Sequence, residues 1–487
     1  MKRYITHHYS ASLILGLTLL TACDKYLEEN PDNRVDLNTT EKAAQLLTNA
    51  YSSGGYEFTE WMTDNVTYTN GTTKLPEHVQ AYEWDVIFPV SQDTPTNFWE
   101  TTYDAIAHAN EVLAVINDLP GEKAQRDAVK GEALLTRAYG HFMLVNLFAK
   151  HYNTATADDD PGIPYPTAPE RDFLVQYERL SVQEVYDMVE DDLLAGLKLV
   201  DATFYANSGK YHFTHDAALA FASRFYLYKG DWQKCIDYST QMLGDDPDVF
   251  VKDIYGMLRE SSNDDDFIRK YTAPTERSNL LMIRQVTNFP VNVGFWPDFN
   301  IFQYLFYFNP FNSDDDARIS TEGYPVYQRG DNGISVNKYE FLFERTSITS
   351  NVGTYYTIAT AFHGEEVLLN RAEAYAQLNQ INPALADLQI LARKRYAPNV
   401  TLNTTALRNY YGSSNNQLIT LTYALEERQK EFIHEGLRWF DIKRYRYRVQ
   451  HLLQDGSVIT LEADDKRKVL QIPQAAIDVG GLTPNER

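Results

Sequence analysis

The chain has 487 residues, 44% hydrophobic and 23% charged, with 67 acidic against 44 basic side chains and a formal net charge of -23. So acidic a surface speaks against nucleic acid and against electrostatic adhesion to anionic headgroups, both of which need basic surface. With only Cys23 and Cys235 there is no disulfide framework to rely on, and stability must come from a large hydrophobic core.

Lys2 and Arg3 precede an apolar stretch from Ala11 to Leu20. That stretch is too short to cross a bilayer as a permanent helix, which takes about 20 residues, and it has the layout of a cleavable secretory signal. Leu20-Thr21-Ala22-Cys23 resembles the bacterial lipobox, in which the cysteine thiol is acylated and becomes the new N-terminus. Residues 1–22 are therefore expected to be removed and Cys23 to carry a durable lipid anchor of several acyl chains. Losing Lys2 and Arg3 takes the net charge from -23 to -25. Residues 23–38 are polar, contain Pro31, and read as a flexible tether.

Helical patterns fill 39–250. In the stretch opening at Asn97, which can cap with Glu100, the residues Trp99, Tyr103, Ile106, Asn110 and Leu113 share a face. A second pattern runs from Ala124 to Ala149, and a third opens with Ser181 and Glu184 as a capping box before Val185, Val189, Leu193 and Leu197. His215 to Leu243 reads as a helix hairpin: an alanine-rich helix ends at Lys229-Gly230, and Asp231 caps a second helix that starts at Trp232. It resembles a tetratricopeptide repeat. A second such unit spans Glu365 to Lys394, with Asn382-Pro383 as cap and first turn. Across 251–362 helical periodicity gives way to Pro, Gly, Asn, Asp and aromatic residues, which reads as a loop-rich insertion. In the tail after Tyr447, Val458 to Leu461 and Val469 to Ile472 are expected as small strands. The expected fold is mostly α, with few short strands.

No hydrolase or nucleotide motif is present: His434-Glu435 lacks the second His of a zinc helix, and there is no G-x-S-x-G elbow, phosphate loop or G-x-G-x-x-G. The acidic triplets at Asp158, Asp264 and Asp314 lack the alternating spacing and distal Glu of a calcium loop and read as solvated loops, so no metal or cofactor is expected. Ligand binding is sought instead among aromatic residues, because a sugar ring packs its C–H face on an aromatic face while Asp, Asn or Arg meet its hydroxyls. From Phe289 to Phe311 ten of 23 residues are aromatic, and here Trp296 and Tyr304 suit a platform with Asp298 and Asn300 alongside. A second candidate surface holds Trp61, Asp64, Asn65, Tyr82 and Trp84. The competing reading for each ring is burial.

The most specific stretch is Glu427-Arg428, Glu431-Phe432, Glu435-Gly436, Arg438-Trp439-Phe440-Asp441 and Arg444. With Trp99, Tyr103 and Asn110, Gly131-Glu132-Ala133, Arg137-Ala138-Tyr139, Gly162-Ile163-Pro164, Asp316-Ala317-Arg318, Lys338-Tyr339, Asn370-Arg371-Ala372 and Ile472-Pro473, it resembles the SusD-like (RagB/SusD) family of outer-membrane nutrient-binding lipoproteins from Bacteroidota. The charges of this stretch, at three- and four-residue steps along one helix, are expected to pair while Phe432 and Trp439 bury. The resemblance implies a single SusD-like domain over 39–487, with a helical scaffold at 39–250 and 363–447, a ligand-side insertion at 251–362 and a tail at 448–487. It also implies a non-catalytic receptor on the cell exterior that hands oligosaccharide to a SusC-like TonB-dependent transporter. Peptide capture, or a helical-repeat scaffold for surface assembly, are the alternatives.

Overall fold

The computed structural model describes residues 37–487 apart from 70–73, 173–174, 202, 207, 295–297, 303, 308, 312–315, 320–325, 330–332 and 397. The chain divides into a short unit, Met1–Asn38, and a large one, Thr39–Arg487. Cys23, the signal and nearly all of the tether lie outside the described residues, as does Trp296.

The first half is helical: α1 (Thr40–Leu47), α2 (Pro76–Tyr82), α3 (Pro95–Val115), α4 (Lys123–Phe148), α5 (Val182–Leu199), α6 (His215–Lys229) and α7 (Trp232–Leu243). Local chemistry sets several of these ends. Ser181 and Glu184 form the expected capping box on α5, and Gly230 ends α6 at φ 76° before Asp231 caps α7 through the Lys234 amide. Asn97 is not the cap of α3. The helix starts a turn earlier, with Pro95 in its first turn and the Thr94 hydroxyl accepting from the Asn97 amide at 3.3 Å. Helices α4 and α5 approach backbone to backbone: a Cβ on Gly131 would lie 2.7 Å from the Val200 nitrogen, and one on Gly196 2.7 Å from Leu135 Cγ.

After α8 (Ile254–Arg259) and α9 (Asp264–Tyr271) come β2 (Asn279–Val286), α10 (Phe289–Gly294), β3 (Phe299–Phe302), α11 (Tyr304–Tyr307), β4 (Val326–Arg329), β5 (Gly333–Val336), β6 (Leu342–Arg345) and β7 (Gly353–His363), with β1 (Val66–Tyr68) preceding them all. The insertion is thus not simply loop. Strands order as β1-β3-β5-β4 in one sheet and β2-β7-β6 in another, antiparallel throughout, with Ile283 opposite Ala359 and Phe343 opposite Tyr355. Several of these strands escape a reading by period because they are only four residues long or shorter, and β1 with β3 and β2 with β7 pair across long stretches of chain.

The chain returns to helices in α12 (Gly364–Gln377), α13 (Ile381–Arg395), α14 (Thr404–Tyr411), α15 (Asn416–Glu431) and α16 (Leu437–Arg444). It then makes the hairpin β8 (Val449–Leu452) and β9 (Val458–Leu461) and ends with α17 (Gln474–Asp478). The second helix pair forms as expected, but Asn382 and Pro383 sit inside the first turn of α13, one turn after the left-handed Asn379 at φ 57°. Val469 to Ile472 is no strand. It runs extended past the end of α4, with the Leu470 amide donating to the Leu147 carbonyl at 3.1 Å.

One clasp recurs in both helical halves. Arg137 on α4 grips Asp192 on α5 with bonds of 2.7 and 2.8 Å, and Arg371 on α12 grips Asp387 on α13 with bonds of 2.8 and 2.7 Å. Bidentate forks of this kind fix the register between neighbouring helices as well as their spacing.

Candidate functional site

The two stretches singled out from sequence meet in space. Strand β1, at Val66 to Tyr68, pairs with β3, placing Thr67 opposite Asn300 and Val66 opposite Ile301. Trp61, Asn65, Trp84, Asp298 and Asn300 nevertheless face inward. Trp61 is 1% exposed and sits among His78, Phe289 and Phe299 at ring distances of 5.3, 5.3 and 5.8 Å. Trp84 is fully buried, stacks on His451 at 4.3 Å and donates its indole N–H to the Met62 carbonyl at 2.9 Å. Neither indole offers a free face, so the expected stacking surface is corrected: both rings serve the core.

The polar candidates are engaged as well. Asn65 is buried between Glu60, at 2.9 Å, and Gln429, at 2.7 Å. Asp298 is buried and accepts from the Leu75 amide at 2.9 Å, with His78 Nδ1 at 2.8 Å. Asn300 is buried on β3. Asp64 takes a bidentate grip from Arg438 at 2.9 and 2.7 Å; burial alone would raise its carboxyl, but Arg438 overrides that and holds it below its ordinary value. The side chain of Tyr304 lies outside the described residues.

Above this buried layer lies an open cleft of about 460 Å³, lined by Tyr68, Lys74, Val79, Glu83, Leu453, Gln454 and Asp455. The half-buried Tyr68 rests on Tyr82 and Phe299 at 4.7 and 5.1 Å, so the core rings below fix its orientation. Lys74 Nζ stands 4.9 Å from the Tyr68 ring centre. Burial, with the carboxylates of Asp85 and Asp455 nearby, raises the Glu83 carboxyl. The cleft therefore offers an aromatic body ringed by one cation, carboxylates and an amide. Sequence reasoning reached the neighbourhood, between Trp61 and Trp84, and missed Tyr68, Lys74 and Glu83 within it. Gln454 and Asp455, in the turn between β8 and β9, carry no local signal.

The charged C-terminal signature does not run along one helix. The chain breaks between α15 and α16, with His434 at φ 68° and Gly436 at φ 71°. Gly436 is required there, since a Cβ would also meet the Thr59 hydroxyl at 2.8 Å. Phe432 and Trp439 are buried as expected, and the charges pair. Glu427 meets Arg318 at 2.9 Å, Glu431 meets Arg395 at 2.7 Å, and Glu435 meets Lys338 at 2.9 Å and His363 at 3.0 Å. Burial would raise the carboxyls of Glu431 and Glu435, yet Arg395 beside the first and Lys338 beside the second hold both at about 2. Arg428 pairs with Asp441 at 3.1 Å, and Arg444 with Glu373 at 2.6 Å. Every acid here is committed to a cation, which suits scaffold and not proton transfer.

The acidic triplets are solvated loops only in part: Asp158 and Asp159 are exposed in a turn, while Asp314 and Asp315 lie outside the described residues. Asp160 is buried against Lys150 at 2.6 Å, Asp264 to Asp266 form the first turn of α9, and Asp316 is buried against Arg318 at 2.7 Å. Asp160 and Asp316 thus serve ion pairing, and Asp264 to Asp266 suit the positive end of a helix. Among the described residues no group of three or more acidic, His or Cys side chains could hold a metal ion.

Residues 25–227 match a family described as starch-binding associating with outer membrane, and residues 320–479 match the SusD family. A SusD-like protein, P38, of Formosa agariphila is 21% identical over 499 residues, covering 91% of this chain and 92% of that one. Among solved structures, a SusD superfamily protein of Bacteroides thetaiotaomicron superposes with a TM-score of 0.70 at 19% identity, covering 92% of this chain and 100% of the other. A SusD-like carbohydrate binding protein of Bacteroides vulgatus superposes with a TM-score of 0.66 at 20% identity, covering 91% and 97%.

Proposed function

This chain belongs to the SusD family, and from that premise we propose that it is a non-catalytic cell-surface receptor that captures oligosaccharide and delivers it to a SusC-like TonB-dependent transporter of the outer membrane. The observation that carries the glycan reading is the Tyr68 cleft. A pyranose packs its apolar face on a ring held by Tyr82 and Phe299, while Lys74, Glu83, Gln454 and Asp455 meet its hydroxyls. The buried candidates Trp61, Trp84, Asp298 and Asn300 belong to the layer beneath and keep that surface in place. Lipid on Cys23 holds the receptor to the membrane, with residues 23–38 as tether and the domain facing outward.

The partner needs an apolar surface, and one stands exposed on the β6–β7 hairpin. Phe343 and Tyr355 pair across the strands, Phe341 stacks on Tyr355 at 4.6 Å, and Ile348 and Val352 at the turn are 96% and 70% exposed. Surfaces of this kind are expected to be covered in a complex.

Affinity electrophoresis of the purified protein through a panel of polysaccharides, beside a panel of peptides, tests the reading. A glycan should retard the protein, and Tyr68→Ala should weaken that retention roughly tenfold. Retention by peptide alone would replace glycan with peptide as the cargo. Reducing sugar released by the purified protein would overturn the non-catalytic assignment.

A further inference from the structure

A groove of about 1590 Å³ shares no lining residue with the Tyr68 cleft. It opens where the turn between α6 and α7 faces the loop after α4 and the tail, and its wall includes Tyr177 and Trp232. In a chain of net charge -23, eight basic and six acidic side chains line it. Four of those acids are paired, three of them with the groove's own cations: Asp160 with Lys150, Asp464 with Arg446 and Glu486 with Lys466, while Asp465 pairs with Arg467.

Three cations of the groove are held by carbonyls instead. Lys443, 6% exposed, donates to the carbonyls of Asn146 and Ala149, and Lys468 to those of Tyr447 and Ala463 at 2.7 and 2.8 Å. Arg179 donates to the carbonyls of Gly162, Pro161 and Thr483. Two further groups lining the groove are buried donors with no partner, Arg444 Nε and the Tyr228 hydroxyl; the other Arg444 nitrogens bond Glu373 and Asp441, and the guanidinium lies 5.1 Å from the Tyr228 ring. Burial pushes the Lys443 ammonium down to about 7. It pushes His151 down to about 3, with Arg444 and Lys443 adding to the effect. Carbonyl-held cations beside unfilled donors make a site short of an acceptor-only ligand.

We propose that this groove is a second binding site, which takes an anionic substituent, a carboxylate or a sulfate ester, borne on an oligosaccharide whose rings lie against Trp232 and Tyr177. The inference deepens the glycan reading and rests on it. Calorimetry and affinity electrophoresis of the full acylated protein in detergent test it with polygalacturonate, its methyl ester, dextran sulfate and dextran. Polygalacturonate or dextran sulfate should bind in a salt-sensitive manner where the uncharged counterparts do not, and whichever of the two binds identifies the substituent. Tyr228→Phe, which removes a hydroxyl with no partner to lose, should weaken that binding about tenfold with melting temperature unchanged. Lys443→Met should abolish it, while retention by an uncharged glycan, sensitive to Tyr68→Ala, persists in both variants. Polyanions that pass unretarded while an uncharged glycan is retained would overturn the groove site and leave the receptor reading standing. Polyanion binding indifferent to both groove variants would overturn it as well, and retention by no glycan of either kind would overturn both readings.

Discussion

Replacing Arg318 with Met separates scaffold from site in the charged C-terminal signature. The guanidinium is 1% exposed and makes bonds of 2.8 and 2.7 Å to Asp316, 2.9 Å to Glu427 and 2.9 Å to the Tyr396 hydroxyl. Met fills much of the same volume but leaves Asp316 without its guanidinium and Glu427 with Lys430, at 3.0 Å, as its remaining cation. Breaking a buried pair in this way costs about 3–5 kcal/mol. For a unit the size of Thr39–Arg487 the unfolding entropy is about 1 kcal/mol per degree, so the melting temperature should fall by about 3–5 °C. Adding Glu427→Gln to the variant should recover part of the loss, because it removes one of the carboxylates left exposed to the low-dielectric interior, with a coupling of about 1–3 kcal/mol. Scanning calorimetry on the four proteins of the cycle measures this, and glycan retention below the transition should match the parent protein. A shift under about 1 °C, or lost retention in a protein that melts like the parent, would refute the structural assignment.

Three further outcomes are expected. Burial raises the Glu57 carboxyl from 4.5 to about 8, so between those values the folded chain keeps a proton the unfolded chain has released, and stability falls with rising pH by about 1.4 kcal/mol per unit. Glu57→Gln should therefore raise the melting temperature at pH 8 and leave it nearly unchanged at pH 4.5, while the depressed carboxyls of Glu431 and Glu435 make both proteins lose stability as pH falls from 4.5 towards 2. Gly131→Ala drives a methyl to 2.7 Å from the Val200 nitrogen and should cost about 1–3 kcal/mol, read as a lower midpoint in urea. Cys23→Ala should leave the protein in the soluble fraction after cell breakage, and protease added to intact cells should cleave the parent protein.

What could be read from the sequence was local. The Ser181 and Glu184 capping box and Gly230 at the end of α6 depend on residues within a few positions of each other, and they stand where expected. Trp61 and Trp84 were legible as important aromatics but not as core, because their burial depends on Phe289 and Phe299 for one and His451 for the other, hundreds of residues away. The run of β-branched and aromatic residues from Thr354 to Phe362 did carry a strand signal, though its partner β2 lies far upstream and the intervening chain hides the pairing. The groove had no signal at all, since α16, the loop after α4 and the tail supply its wall separately.

The buried ion network also sets an order of events. Arg318, Arg395 and Lys338 come from the middle of the chain, whereas Glu427, Glu431 and Glu435, which meet them in that order, arrive close to its end. Asp316 and Glu365 offer Arg318 and Arg395 carboxylates nearer in the chain, but Lys338 meets Glu435, so until that last stretch is present its ammonium must stay hydrated and the segment that carries it remains open although it is made earlier. Closure of the β-rich middle then waits on the C-terminal helices. A chain cut before Glu427 should keep α3 to α7 as a helical remnant, with the strands left unpaired and exposed to whatever proteases or chaperones they meet.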